Sequence, residues 1–246
     1  MKTNHIKLSL VIPCYNEKRN ISLIIDKLKE HLNKKDLEFI FVDNGSSDNT
    51  RKEIQRYSKK YKSLRLLIVR KNIGYGNGIF QGLKSAKGEY IGWTHGDIQT
   101  PPIDALRALN IIKEQDYPKN IYVKGKRYGR PLTDKLINTL GMSIFETLIL
   151  GKGLYDINAQ PNIFHRSLLE KMNDPPLDFS FDLYVYYTAK VNKYNIERFP
   201  VSFGKRIFGE SKWNTGWKAR IKFIKRTIRF TFELKKKLKK HNLGRN

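Results

Sequence analysis

The chain is poor in cysteine and in acids, and it lacks any long apolar run. A single cysteine, Cys14, among 246 residues excludes an intramolecular disulfide framework and a cysteine-rich zinc site, and suits a reducing compartment. No apolar stretch reaches the roughly 18 residues that a spanning helix needs. Residues 8–12 run straight into Pro13, too short for a signal peptide, and residues 140–150 are interrupted by Glu146. The reading from these absences is a soluble or peripheral cytoplasmic protein. Asp and Glu number 23 against 48 Lys and Arg, a net charge of +25. Such an excess calls for an anionic partner: nucleic acid, anionic lipid head groups or a phosphorylated substrate. Internal repeats are absent, and the only low-complexity stretch is the lysine cluster at 235–240.

What is present is alternation. Residues 6–12, 37–42, 64–69 and 90–93 are short β-rich runs, and the segments between them carry apolar residues at helical spacing, such as Ile21, Ile24, Ile25, Leu28 and Leu32. Asn20 is read as the cap of that first helix. The first hundred residues therefore read β-α-β-α-β-α-β, which predicts a parallel sheet with right-handed crossovers. The loops at Pro13, Asp43, Lys71 and Asp97 all leave carboxyl ends of strands and should meet at one rim, where open α/β sheets bind ligands. Gly74, Gly76 and Gly78 open the third crossover, so they are not a dinucleotide fingerprint; close approach of a helix to a strand or a ligand is their expected task.

The chain is organised around residues 88–102. A buried strand ends in Thr94-His95-Gly96-Asp97, and Pro101-Pro102 suit the first turn of a helix. Asp97 and Gln99 place a carboxylate and an amide oxygen at alternate positions, half a site for a hard divalent cation. The alternative is an ordinary polar turn.

Four motifs then converge. Val11-Ile12-Pro13-Cys14-Tyr15-Asn16-Glu17, Phe41-Val42-Asp43-Asn44-Gly45-Ser46-Ser47-Asp48, Asn72-Ile73-Gly74 leading to Lys87-Gly88-Glu89-Tyr90, and Gly96-Asp97-Ile98-Gln99 occur in order. Together they resemble the inverting family 2 glycosyltransferases, nearest to the branch that acts on dolichol or polyprenyl phosphate. The resemblance is specific over the first hundred residues and weaker beyond residue 120. It implies an α/β protein of GT-A fold, a Rossmann-like, mostly parallel sheet with flanking helices. It also implies a nucleotide-diphosphate sugar donor and Mg²⁺ or Mn²⁺. By position, Pro13, Tyr15, Glu17, Asp43, Lys71 and Asp97 would line the nucleotide-sugar pocket. Asp97 would be a catalytic metal ligand with Gln99 beside it.

One position departs from the pattern. The branch shows Asp-x-Asp-x-Gln, whereas here His95 replaces the first carboxylate. Three consequences stand open: Asp97 holds the metal with the diphosphate alone, His95 favours Mn²⁺, or the metal site is weakened. A turn residue with a hydrogen-bonded ring is a fourth reading of His95.

Beyond residue 100 the resemblance nominates cations for the acceptor's phosphate: Arg127 and Lys135, then Arg206 and Lys212 in a Gly-interrupted basic loop. The helix at 136–150 is apolar on most sides, so it is either core or membrane-facing, and core is expected. Asp182 is either a base for a hydroxyl acceptor or an acid near a helix start, where Asp178 and Ser180 are candidate caps. Residues 196–203 read as an edge strand, because Pro200 lies inside them. From 217 to 245 the chain carries twelve Lys or Arg and one acid, Glu233. Trp217, Ile221, Ile224 and Ile228 fall on one helical stripe, so this tail reads as a basic amphipathic helix on an anionic membrane.

These observations predict a catalytic domain over residues 1–212, with a nucleotide-sugar half at 1–100 and an acceptor half at 101–212, followed by a C-terminal helix over 213–246. The expected activity is inverting transfer of a sugar to polyprenyl phosphate at the cytoplasmic membrane face. An ionised phosphate, with its second pKa of about 6, attacks without an enzyme base, whereas a hydroxyl needs one. Two alternatives remain: transfer to a sugar hydroxyl with Asp182 as base, and a non-catalytic nucleotide-binding scaffold disabled by His95. No nucleic-acid partner is expected, since no binding module accompanies the charge.

Overall fold

The computed structural model describes residues 5–129, 140–204, 206–208 and 217–243. They fall into two compact units: residues up to 130 together with 158–209, and residues 131–157 together with 210–246. The acceptor half read from the sequence, 101–212, is thus shared between the two units. Lys135 and Lys212 lie outside the described residues.

The first unit is a seven-stranded sheet. In chain order it comprises β1 (Leu8–Cys14), α1 (Lys18–Leu28), β2 (Leu37–Asn44), α2 (Thr50–Ser58), β3 (Leu64–Val69), α3 (Tyr75–Ser85), β4 (Tyr90–Trp93), α4 (Asp104–Glu114) and β5 (Ile121–Tyr128). After the second unit's first segment come β6 (Asn162–His165), α6 (Phe181–Val191) and β7 (Asn195–Ser202). The spatial order is β3-β2-β1-β4-β6-β5-β7. β3, β2, β1 and β4 run parallel, β6 is antiparallel to both its neighbours, and β7 is parallel to β5 at the edge. Pro200 is tolerated in β7 because an edge strand has one side free of ladder bonds.

The burial follows the strand period. Leu8, Leu10, Ile12 and Cys14 point to one face, against Ile21, Ile24, Ile25 and Leu28 of α1. Val11 points to the other, where α3 lies so close that a Cβ on Gly82 would stand 2.4 Å from Val11 Cγ1. Both faces of β1 and β2 are therefore covered, which is why these strands read as unbroken apolar runs. The first helix starts earlier than the sequence suggested. Glu17, not Asn20, precedes it, and buried Asn20 instead donates its amide N–H to the Glu17 carboxylate.

The order β3-β2-β1-β4 contains one reversal. Crossovers run outward from β1 to β3, and the chain then returns to the other side of β1 for β4. The crevice outside the carboxyl ends of β1 and β4 is the topological switch point of the sheet, the usual ligand position in such folds.

The second unit contains α5 (Met142–Leu150) and α7 (Trp217–Leu243). Here α5 departs from the expected core helix. It buries Ser143, Glu146 and Leu150, while Ile144 and Leu148 are 53% and 76% exposed. The Glu146 carboxyl meets the Thr231 hydroxyl of α7, and Phe145 meets Phe232 edge to face.

Candidate active site

The four loops that leave the parallel strands are stitched together. Asn16 Oδ1 accepts the N–H groups of Ser47 and Asp48 at 2.9 and 3.4 Å. The N–H of Glu17 donates to Thr50 Oγ1 at 2.8 Å. Asn44 Nδ2 donates to the carbonyl of Gly74 at 3.0 Å, joining the second loop to the start of α3. On the fourth loop, a Cβ at Gly96 would lie 2.7 Å from the carbonyl oxygen of Pro13. Asn16 and Ile98 both adopt positive φ, 58° and 62°. Asn tolerates this region, but for β-branched Ile98 it is an outlier of the kind found at functional sites.

Strained Ile98 sits between the two residues singled out for metal. Asp97 Oδ1 accepts the N–H of Gln99 at 3.1 Å, an Asx turn that sets the carboxylate beside the amide side chain. Asp97 Oδ2 is 2.7 Å from Nη2 of Arg206, and Gln99 Oε1 accepts from Arg206 Nε at 3.5 Å. The two candidate ligand oxygens therefore converge on one positive group. Glu17 Oε1 stands 3.9 Å from Arg206 Nη1. Burial pushes the Glu17 carboxyl up to about 7, opposed by its bond from Asn20 and by Arg206, and reinforced by the charges of Asp97 and Asp48. Arg206, a nominee for a phosphate clamp, thus lies beside Asp97 and Gln99.

Among the described residues, no cluster of three or more His, Cys, Asp or Glu could hold a metal ion. Asp97 and Gln99 nevertheless fit one with further ligands from phosphate, since Mg²⁺-type ions take one or two carboxylates plus substrate oxygens. The convergence of their oxygens on the Arg206 guanidinium is the observation behind that fit. His95 precedes this pair on the same loop. Its ring lies 6.1 Å from that of Tyr75, and its charge bears on Asp182.

Asp43 is anchored within its own loop and α2. Its carboxylate is fully buried, accepting the N–H of Ser46 at 3.0 Å and Nε of Arg51 at 2.7 Å. What the pair presents outward is the Arg51 guanidinium, 42% exposed. Arg51 lies in the first turn of α2, and nothing in its local sequence marks it. Lys71 is exposed, Pro13 and Tyr15 are half-buried, and Arg127 lies over the ring of Phe203 at 5.1 Å. Phe203 precedes Gly204, whose N–H donates to the Gln99 carbonyl at 2.8 Å.

Asp182 caps nothing. Asp178 accepts the N–H of Ser180, whereas Asp182 is buried and turned inward. Its Oδ1 accepts from Gln160 Nε2 at 2.8 Å and from Asn162 Nδ2 at 3.4 Å. Gln160 Nε2 also donates to the Tyr75 hydroxyl at 3.1 Å. Lys124 of β5 is fully buried; its Nζ donates to Ala159 O at 2.6 Å and Asn162 Oδ1 at 2.8 Å. Burial raises the Asp182 pKa, against the charges of Lys124 and His95 and the bonds from Tyr75 and Gln160. Sequence reasoning missed Tyr75, Lys124, Gln160 and Asn162, whose only signal is mutual proximity.

The switch point thus carries a carboxylate–amide pair with the Arg206 guanidinium against it. The comparisons give the family. The glycosyl transferase family 2 model matches residues 9–173, and the chain belongs to that family. A dolichol-phosphate mannosyltransferase of Pyrococcus furiosus is 27% identical over 84% of this chain and 59% of its own length. A dolichyl-phosphate beta-glucosyltransferase of Dictyostelium discoideum is 28% identical over 76% of this chain and 63% of its own. The chain thus spans about three-fifths of these relatives.

Solved structures agree on the fold. A Pyrobaculum calidifontis mannosyltransferase in complex with GDP-Man and Mn²⁺ superposes with TM-score 0.61 at 21% identity, covering 84% of this chain and 59% of that one. Glucosyl-3-phosphoglycerate synthase from Mycobacterium tuberculosis, in complex with Mn²⁺, UDP and phosphoglyceric acid, gives 0.68 at 16%, covering 94% and 78%. The architecture is the GT-A glycosyltransferase fold.

Proposed function

We propose that this chain transfers a sugar, with inversion, from a nucleotide-diphosphate sugar to a polyprenyl phosphate. The observation that carries the donor half is the convergence of Asp97 Oδ2 and Gln99 Oε1 on one cationic position at the switch point. Asp97 and Gln99 would hold a divalent cation, Mg²⁺ or Mn²⁺, which when bound supplies Lewis-acid neutralisation of the leaving diphosphate. Pro13, Tyr15, Glu17 and Lys71 would flank the nucleotide, with Arg51 oriented toward it by Asp43. Arg206 would stabilise the diphosphate as the bond from C1 to its oxygen breaks, a task suited to a guanidinium fork.

The acceptor half rests on Asp182. A base for a hydroxyl must reach its proton, and this carboxylate is buried and engaged by Gln160 and Asn162. A phosphate acceptor carries its own charge and attacks C1 from the side opposite the leaving group. Arg127 lies at the carboxyl end of β5, on the rim that carries the Phe203–Gly204 turn, and is the described nominee for that phosphate. The relatives named above act, by their names, on dolichol phosphate, which supports the same choice.

An anionic membrane surface is the partner this acceptor requires. Among the described residues no helix is long and apolar enough to cross a membrane. The second unit offers a surface of the right chemistry: exposed Leu140, Ile144 and Leu148 lie one helical turn apart, and α7 exposes Ile221, Lys225, Arg229, Phe232 and Lys236 along one face. Apolar insertion flanked by cations suits anionic lipid.

The test is transfer of labelled sugar from a panel of nucleotide-sugars, with Mg²⁺ or Mn²⁺, to vesicle-borne polyprenyl phosphate or to a soluble glycoside. Product on the lipid phosphate, largely retained in Asp182→Asn, is expected. Product only on a hydroxyl, abolished by Asp182→Asn, would favour the hydroxyl-acceptor alternative. No product with any donor would leave the scaffold reading.

A further inference from the structure

We propose that Arg206 is a tethered cation competing with the divalent ion for Asp97, and that it yields when a nucleoside diphosphate takes its guanidinium, so that metal and nucleotide bind cooperatively. This rests on the donor-site reading above.

The geometry is that of an occupied cation position. One guanidinium meets Asp97 at 2.7 Å, Gln99 at 3.5 Å and Glu17 at 3.9 Å. The segment that carries it is fastened on both sides. The N–H of Gly204 donates to the Gln99 carbonyl at 2.8 Å, and Gln99 Nε2 returns a bond to the Gly204 carbonyl at 3.1 Å. Two residues after Arg206, the Phe208 ring receives the Arg19 guanidinium at 3.9 Å. Gly204 is thus fastened to the loop that carries Asp97, and Phe208 to α1.

Charge decides when the guanidinium gives way. Asp97 is buried, and removing its cation would leave that charge uncompensated, which is costly. A metal ion arriving alone must displace that guanidinium from Asp97. A diphosphate changes this balance. Its oxygens match the guanidinium fork, and hard divalent ions favour a carboxylate together with phosphate oxygens. The exchange replaces one ion pair, Arg206 with Asp97, by two: metal with Asp97, and Arg206 with diphosphate. A ligand that binds poorly until a second ligand removes a competitor shows positive coupling, typically roughly 5- to 150-fold.

The experiment measures Mn²⁺ binding by the EPR signal of the free ion, with no turnover. Wild type, Arg206→Gln, Arg206→Lys and Asp97→Asn are titrated alone and with saturating UDP or GDP, after correction for binding to the free nucleotide. Expected results are weak Mn²⁺ binding by wild type alone and binding at least about 5-fold tighter with one of the nucleotides. Arg206→Gln should bind Mn²⁺ alone at least about 5-fold tighter than wild type and lose most of the nucleotide dependence. Arg206→Lys, which keeps a cation, should stay near wild type. If Arg206→Gln binds Mn²⁺ alone no better than wild type, while wild type with nucleotide binds it in an Asp97-dependent way, the competition is refuted and the donor site stands. Absence of Asp97-dependent Mn²⁺ binding under every condition overturns both.

Discussion

Glu146 and Thr231 share a buried contact in which one hydroxyl lies 2.8 and 2.7 Å from the two carboxyl oxygens and 2.8 Å from the carbonyl of Thr227. A hydroxyl has one proton and cannot donate to all three. The count closes when Glu146 is protonated, donating to Thr231 Oγ1 while Thr231 donates to Thr227. Burial accordingly raises the Glu146 carboxyl from 4.5 to about 7, against the bond from Thr231. An acid with a higher folded than unfolded pKa keeps its proton longer in the native state. The contribution of Glu146 to stability therefore falls as pH rises from about 4.5 to about 7 and is level above that. Glu146→Gln should remove this slope and raise stability at pH 8 by up to about 3 kcal/mol. Urea unfolding at pH 5 and pH 8 measures both; an unchanged slope in the variant would refute it.

The outward face of α5 gives a second prediction. Replacing Ile144 and Leu148 by Ser removes exposed apolar surface without touching the buried side of the helix. Binding to vesicles rich in phosphatidylglycerol should weaken about 10-fold or more, at about 0.8 kcal/mol per buried CH₂ lost. Thermal stability should change little. Equal vesicle binding by sedimentation would show that this face does not enter lipid.

Arg51 is expected to act on the nucleotide. Arg51→Leu should raise the nucleotide Kd by about 10-fold, the loss of one or two charge-assisted contacts. It should also lower stability, because it leaves buried Asp43 with only the N–H of Ser46. Calorimetric titration with UDP and GDP separates the two effects, since a purely structural role would leave the Kd of the folded fraction unchanged.

Gly82 tests the helix packing behind the site. A Cβ there meets Val11 Cγ1 at 2.4 Å and Cγ2 at 2.9 Å, both in a fully buried strand. Gly82→Ala should cost about 1–3 kcal/mol by overpacking, seen as a lower urea midpoint. A neutral or stabilising result would mean that α3 shifts freely on β1.

The parallel half of the sheet and its loops were legible in the order of residues. Period-2 apolar runs ending at Pro13, Asp43, Lys71 and Asp97 are local signals, and a right-handed crossover leaves those ends at one rim. Asp97 and Gln99 were legible for the same reason, being two residues apart on one turn. Composition likewise set the charge and the lack of a spanning helix among the described residues. The partners of these residues depended on tertiary structure. Arg206 is more than a hundred positions from Asp97, and only closure of the Gly204 turn onto Gln99 brings it there. The pairing of Asp43 with Arg51 and the burial of Lys124 and Asp182 in one network share one cause. Each is set by which groups remain to satisfy a buried charge once the strands are in place, and that is a property of the packed sheet rather than of any window of sequence.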